Sequence, residues 1–222
     1  MGIMSSGYRV ISSGPVLVDA FTATLAETSV GTSPLNLNTF TVGSGSNRAL
    51  VAWIIGSAFA TQALTWNGVS MTLMGSGSMS SGAGQIYVYG LLNPASGNNT
   101  LQGTWSASTR AAIGCASFTG VNQGSLGAAF PNIANLNDQS STTAGITVPS
   151  ATNHVALGVY CANIPSDWGT PSNTVMFHDI NFPATNPAGN YEPNPTGSTA
   201  FTYTLLGGAT AWCSVGVDIA NI

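Results

Sequence analysis

The chain has 222 residues, of which three are arginines, seven are acidic and none is a lysine, so its formal net charge is −4. Only 5% of the residues are charged, against about 25% in ordinary soluble domains. Three scattered arginines form no basic patch, which excludes binding to a nucleic-acid backbone.

Hydropathy gives no sign of a membrane partner. The longest apolar stretch, Ala49 to Ala60, has about twelve residues, whereas a helix needs roughly 20 to cross a bilayer. No polybasic or amphipathic helical segment favours binding to a membrane surface. The first nine residues lack a basic segment followed by an apolar core, so no secretory signal peptide is predicted.

Short alternating segments between Gly, Ser, Asn and Pro clusters predict β-strands, and no stretch keeps a helical period. Residues 1–15 are predicted to form an N-terminal arm and residues 16–222 a single domain. The clearest local signal is Asn67-Gly68, which favours a type I′ hairpin turn because both central positions of that turn need positive φ. In chain order the first predicted strands are Val16 to Ala26, Leu35 to Val42, Ala49 to Ala58, Ala63 to Trp66, Val69 to Leu73, Gln85 to Leu92, Thr100 to Ser106 and Arg110 to Thr119.

The second part of the chain is less regular. Gly120 to Ala144 is predicted to be irregular, and the four prolines between Asn181 and Gly197 predict a loop. The remaining predicted strands are Gly145 to Pro149, Asn153 to Cys161, Asn173 to Ile180, Thr199 to Leu206 and Ala211 to Ile219. About a dozen short strands predict an all-β fold, a single antiparallel β-sandwich of jelly-roll or concanavalin-like type.

Three cysteines, Cys115, Cys161 and Cys213, each lie in an apolar run without a CxxC pair. This pattern favours small buried residues in strands. A disulfide between two of them stays open, and a catalytic thiol or zinc site is disfavoured by the spacing.

Catalytic signatures are weak, and the chain is predicted not to be an enzyme. The seven acids are isolated in sequence, so a glycosidase would need two carboxylates brought together across strands. His178-Asp179 is the one adjacent pair of histidine and acid, but no nucleophile elbow accompanies it. A hydrogen-bonded histidine at a strand end is the preferred interpretation.

No cofactor or metal is predicted. Gly43-Ser44-Gly45 precedes a strand, whereas a phosphate loop needs a helix N-terminus, so we expect an inter-strand loop there. Calcium needs several converging oxygens. Asn135, Asn137 and Asp138, or Asp167 with nearby carbonyls, would supply too little charge.

Aromatic and amide side chains in predicted loops suggest a glycan or partner contact. Asp167-Trp168 and Asn190-Tyr191 combine a flat ring with hydrogen-bonding groups, which suits carbohydrate, and a glycan site there requires Trp168 or Tyr191 to be exposed. The alternative is that these two rings pack their own loops or a neighbouring subunit.

Five segments, built mainly from turn glycines and strand hydrophobics, carry a family resemblance. They are residues 41–51 (TVGSGSNRALV), 64–72 (LTWNGVSMT), 89–94 (YGLLNP), 116–121 (ASFTGV) and 212–218 (WCSVGVD). Together they resemble a lectin-like β-sandwich domain found in bacteriophage virion proteins and in bacterial extracellular proteins. The resemblance runs from about residue 16 to the end, implies the fold, and offers no catalytic residues.

The resemblance and the missing signal peptide together suggest a non-enzymatic virion protein, made in the host cytoplasm. A capsid decoration or head-fibre subunit is expected first, and a tail or fibre-associated subunit next. Its expected partners are copies of itself and other virion proteins, because uncharged surfaces pack without desolvating ions. Residues 1–15 and 181–197 are predicted to make contacts between subunits. The alternative is a carbohydrate-binding module for surface glycans.

Overall fold

The computed structural model describes residues 15–21, 26–27, 33–57, 61–79, 84–106, 111–163, 168–172, 174–177 and 185–222. These residues form eighteen strands and one short helix, and all the strand pairings are antiparallel. The predicted all-β antiparallel sandwich is therefore confirmed. Of the predicted arm at residues 1–15, all but Pro15 lies outside the described residues.

The chain divides into two halves of strands, joined through a short helix. The first half contains β1 (Leu17–Phe21), β2 (Ala26–Glu27), β3 (Leu35–Val42), β4 (Ala49–Gly56), β5 (Gln62–Trp66), β6 (Val69–Ser70), β7 (Thr72–Ser78), β8 (Gln85–Leu92), β9 (Gly97–Trp105) and β10 (Ala111–Thr119). The helix α1 (Leu126–Ala129) precedes β11 (Ile133–Ser141), β12 (Thr143–Val148), β13 (Val155–Asn163), β14 (Trp168–Pro171), β15 (Thr174–Phe177), β16 (Thr185–Pro193), β17 (Thr199–Leu205) and β18 (Thr210–Ile219).

Each half is a jelly roll, and the two have the same topology. The first inner sheet has the order β1-β10-β4-β8-β7, and the second inner sheet has the order β11-β18-β13-β16-β15. The first outer sheet is β3-β9-β5-β6, and the second outer sheet is β12-β17-β14. The two-residue strands β2 and β6 have no counterpart in the second half and are left out of the count. Counted in this way along each half, the first, eighth, third and sixth strands share one sheet, and the second, seventh and fourth share the other. This is jelly-roll connectivity, with the fifth strand (β7 or β15) added to the inner sheet.

The four sheets enclose three cores, so the inner sheets are buried on both faces. In β4, Val51 and Trp53 point into a central core between the two inner sheets. The alternate residues Leu50 and Ile54 point into a first outer core beneath the first outer sheet. The second half repeats this arrangement, since Leu157 of β13 lies in the central core and neighbouring strand positions face a second outer core. Burial on both faces explains why β4 and β13 are continuously apolar.

The turn predicted at Asn67-Gly68 is confirmed, with φ values of 48° and 76° and the strand pair Trp66 and Val69 closing the hairpin. The region from Gly120 to Ala144, predicted to be irregular, instead contains α1 and the nine-residue strand β11. The prediction was wrong because β11 uses polar side chains of its own to contact a strand of another sheet. The Oδ1 atoms of Asn135 and Asn137 accept hydrogen bonds of 3.1 and 2.9 Å from the backbone N–H groups of Ser76 and Ser78 in β7.

The proline-rich segment 181–197 is also more regular than predicted, because β16 occupies Thr185–Pro193. It pairs with β13 along its whole length and with β15 only from Gly189 to Tyr191. Pro187 and Pro193 lie outside the stretch that β15 pairs. Neither proline therefore has to donate an N–H to that neighbour.

Candidate functional site

Trp168, predicted to be a loop residue, is the first residue of β14 and is only 2% exposed. Its ring lies in the second outer core, with ring centroids 6.0 Å from Tyr160 and 5.2 Å from Tyr203. Of the two interpretations of Trp168, the structure therefore fits packing of the ring within the fold rather than an exposed aromatic platform, because a large ring contributes more by filling a core. Its neighbour Asp167 lies outside the described residues.

Asn190 and Tyr191 are consecutive residues of β16, so their side chains point to opposite faces of the sheet. Tyr191 is half-buried against the central core, whereas Asn190 is fully buried. Neither atom of the Asn190 amide has a hydrogen-bond partner among the described residues. The predicted glycan or partner residues Trp168, Asn190 and Tyr191 are thus not assembled on one surface.

A different surface gathers polar side chains: the solvent face of the first outer sheet. Strand alternation sends Leu37, Leu64 and Leu101 into the first outer core and the residues between them outward. The outward residues line an open groove of about 370 Å³. Its lining residues are Asn36, Asn38, Thr65, Asn67, Gly68, Thr100 and Gln102.

Two hydrogen bonds order this surface, which we call the amide groove. Thr100 Oγ1 donates to Asn38 Oδ1 at 2.9 Å, and Gln102 Nε2 donates to Asn36 Oδ1 at 2.9 Å. The register places Asn36, Gln102 and Thr65 side by side across three strands. With each asparagine oxygen already accepting, the Nδ2 groups of Asn36 and Asn38 remain as donors. The amide groove contains no charged side chain among the residues that line it.

The Asp218 carboxylate, which is fully buried in β18, contacts three polar side chains. Its Oδ1 accepts a hydrogen bond from Ser150 Oγ at 2.5 Å and lies 3.0 Å from His154 Nδ1. Its Oδ2 accepts from Asn132 Nδ2 at 3.0 Å. A catalytic triad needs the serine on His Nε2, but here Ser150 and His154 share one carboxylate oxygen. The cluster therefore joins the loop before β13 to β18 and to the start of β11.

The first half has a smaller counterpart of this cluster. Ser117 occupies in β10 the place of Asp218 in β18, next to the strands β4 and β13 respectively. The Asp19 Oδ2 atom accepts from Ser117 Oγ at 2.8 Å and from the Gly43 N–H at 2.7 Å. Since the Gly43 N–H binds a carboxylate of the protein itself, the Gly43–Gly45 segment is an inter-strand loop, as predicted.

The other predicted sites do not come together in the described residues. Asn135 and Asn137 use their oxygens on β7, and the Asp138 side chain and His178-Asp179 lie outside the described residues. Within the described ranges, no three His, Cys, Asp or Glu residues are close enough to hold a metal ion. No helix in the same ranges is long and apolar enough to cross a membrane. All three cysteines are buried in strands, which confirms that prediction.

Comparison of the chain with protein-family models, with curated proteins and with solved structures found no match.

Proposed function

We propose that the chain is a non-enzymatic structural subunit of a bacteriophage virion that acts through protein–protein contacts. The observation that carries the proposal is the composition of the two outer faces. Among the described residues, the strands of both outer sheets (β3, β5, β6, β9, β12, β14 and β17) contain no charged residue. Their outward side chains are mainly Asn, Gln and Thr.

Such faces suit permanent coverage by a neighbouring subunit. Burying an unpaired charge costs several kcal/mol, whereas amide and hydroxyl groups find hydrogen-bond partners on a similar surface at little net cost. Contacts without ion pairs are also insensitive to salt. A virion subunit needs contacts of this kind, since it stays bound in whatever medium the particle meets.

Several of the few charged side chains are buried or form hydrogen bonds with other groups of the same chain. Asp218 is buried, and Asp19 accepts two internal hydrogen bonds. Arg48 donates from Nε to the Pro94 carbonyl at 3.1 Å and from Nη1 to the Gly45 carbonyl at 2.8 Å. These charges therefore contribute less to solubility than their number suggests, which further favours a surface covered by partners.

Within this class, a capsid decoration or head-fibre subunit is our first assignment and a tail or fibre-associated subunit the second. The resemblance to virion β-sandwich domains supports the class. The partners are copies of the chain and other virion proteins, and the location is the virion.

The proposal is tested by light scattering and negative-stain imaging of the purified chain, alone and mixed with phage capsids and tails. We expect oligomers or particle-bound chain, unchanged between low salt and about 1 M salt. Gln102→Glu and Thr202→Glu place one charge on each outer face and should weaken assembly. Ser96→Glu, in an exposed loop, should not. A monodisperse monomer that binds neither capsid nor tail would contradict the proposal.

The amide groove favours a second candidate function, binding of a neutral glycan. Adjacent sugar hydroxyls need donors and acceptors in close array, and Asn36, Asn38 and Gln102 supply both. The absence of charge from the lining disfavours phosphate, nucleic acid or an acidic ligand. This candidate replaces Trp168 and Tyr191 as the contact residues of the carbohydrate-binding alternative.

A glycan array with the wild-type chain tests the groove directly. Asn38→Ala and Gln102→Ala should each reduce binding severalfold without changing the circular dichroism spectrum. Thr147→Ala, on the outer face of the second outer sheet, should leave binding unchanged. If the wild-type chain binds no neutral glycan on the array, this candidate function is excluded and the assembly proposal is unaffected.

A further inference from the structure

Cys161 and Cys213 lie directly opposite each other near one end of two neighbouring inner strands of the second inner sheet. They are register partners in the antiparallel strands β13 and β18. Both are fully buried, and both side chains point into the central core between the inner sheets. Their neighbours along the strands, Val159 and Val215, are also register partners and core residues.

The geometry of this pair meets the requirements of a disulfide. Opposite residues in antiparallel strands have Cα atoms about 4.5 or 5.5 Å apart, and disulfides span Cα distances of about 4.4–6.8 Å. The two thiols are already in hydrogen-bond contact, and this contact together with burial raises the pKa of Cys213 well above its ordinary value. The register therefore places the two Cα atoms within the range that a disulfide spans.

Cys115 shows that this placement is particular to the pair. It lies in β10, opposite Ala52 of β4, and points into the first outer core. Burial raises the pKa of its thiol as well. Cys115 faces a different core from the other two cysteines, so it serves as a reference thiol remote from the pair.

We propose that Cys161 and Cys213 form a cross-strand disulfide when the chain folds or is held under oxidising conditions. The two thiols lose two protons and two electrons, and one bond forms between the sulfur atoms. The oxidant is a low-molecular-weight disulfide such as glutathione disulfide, which is reduced to two thiols through a mixed-disulfide intermediate. The site does not depend on the virion or glycan proposals.

The rate of oxidation depends on how accessible the thiols of Cys161 and Cys213 are to the oxidant. Thiol exchange proceeds through the thiolate, and the raised pKa of the buried Cys213 thiol leaves little thiolate there. Oxidation is therefore expected to be slow in the folded chain and faster during folding, before the central core closes. Once formed, the bond ties β13 to β18 and restricts the unfolded chain between residues 161 and 213, so the oxidised protein should melt at a higher temperature.

The test is to refold the reduced chain in a glutathione redox buffer, block remaining thiols with N-ethylmaleimide under denaturing conditions, and measure the mass. We expect one blocked thiol per chain. Cleavage before aspartate separates the cysteines into fragments 19–137, 138–166 and 179–217, of which the last two should be linked. Trypsin is unsuitable, since the chain has no lysine and Arg110 is its last arginine, and all three cysteines follow it. Three blocked thiols, or a link that includes Cys115, would overturn the proposal.

Serine variants provide a second readout that does not require digestion. The difference in Tm between oxidised and reduced protein should persist in Cys115→Ser and vanish in Cys161→Ser and Cys213→Ser. Each variant is its own reference, because oxidised and reduced samples of the same chain are compared. An equal redox shift in all three variants, or none in the wild type, contradicts the disulfide.

Discussion

The two jelly rolls of this chain have the same topology but stabilise their corresponding loops with different side chains. In both, a loop with an asparagine at positive φ leads into the central strand: Asn47 at 54° before β4, and Asn153 at 68° before β13. The next residue is Arg48 in the first half and His154 in the second. Arg48 donates to backbone carbonyls, whereas His154 contacts the buried Asp218.

A second loop repeats at the backbone level as well. Asn93 and Asn194 both have positive φ, 50° and 53°, and both precede a proline. The Asn93 N–H donates to the Arg48 carbonyl at 2.9 Å, and the Asn194 N–H donates to the His154 carbonyl at 2.9 Å. The two halves therefore share the backbone conformation and this hydrogen bond, whereas the polar side chains around them differ.

The largest expected difference in stability between the two halves comes from removing the carboxylates Asp218 and Asp19. Asp218→Ala leaves Ser150, His154 and Asn132 without their buried acceptor, and should lower the free energy of unfolding by about 3–5 kcal/mol. Asp19→Ala removes an exposed carboxylate with two partners and should cost about 1–2 kcal/mol. Urea denaturation measures both. Equal losses would show that the two clusters are equivalent in energy despite their different burial.

The two halves differ in the room available for a side chain at one strand position, which is Gly158 in β13. It corresponds to Ala52 of β4, and each is the register partner of a residue in the last strand of its half. A Cβ at Gly158 would lie 2.6 Å from Tyr160 Oη and 2.8 Å from Asn190 Oδ1. Gly158→Ala should therefore destabilise the chain by about 1–3 kcal/mol through overpacking.

The reciprocal change, Ala52→Gly, overpacks nothing and should cost about 1–2 kcal/mol, through backbone entropy and the lost burial of one methyl group. Both variants are compared with the wild type by thermal and urea unfolding. If Gly158→Ala proves neutral, the polar ends of Tyr160 and Asn190 can move apart, and the difference between the halves is not steric.

Sequence patterns predicted the parts of this fold that depend on local chemistry. The Asn67-Gly68 hairpin and the apolar strands β4 and β13 were predicted because turn residues and continuous apolar runs are local signals. β11 and β16 were missed because their polar and proline residues are accommodated by neighbouring strands, which no local pattern records. The repeated Asn-Pro at Asn93 and Asn194 was the signal that could have shown the duplication.

The candidate site was harder to predict than the fold. Trp168 resembles a binding residue in sequence, and its burial depends on Tyr160 and Tyr203, which approach it from other strands. The amide groove is equally non-local, since Asn36, Thr65 and Gln102 meet only through strand pairing. Each residue alone is ordinary for an exposed strand position.

The smallest expected effect on the free energy of unfolding comes from glycine substitutions at Asn93 and Asn194. These substitutions distinguish the backbone contribution to the repeated loop from the side-chain contribution. Asn194 Oδ1 accepts the Asn153 N–H at 2.7 Å, in addition to the backbone bond that both halves share. Asn93→Gly keeps the positive φ without strain and should leave the free energy of unfolding within about 0.5 kcal/mol of wild type. Asn194→Gly keeps the same φ but loses the side-chain acceptor, and should cost about 1 kcal/mol more than Asn93→Gly.

Because both variants place glycine at the same backbone conformation, the change in unfolded-chain entropy is common to them. Their difference in urea denaturation therefore isolates the Asn153–Asn194 hydrogen bond. Asn93→Ala and Asn194→Ala are the matched controls, since alanine at positive φ adds about 1–2 kcal/mol of strain at either position. A larger loss at Asn93→Gly than at Asn194→Gly would mean that the first loop depends on its side chain, and that only the second is held by the backbone.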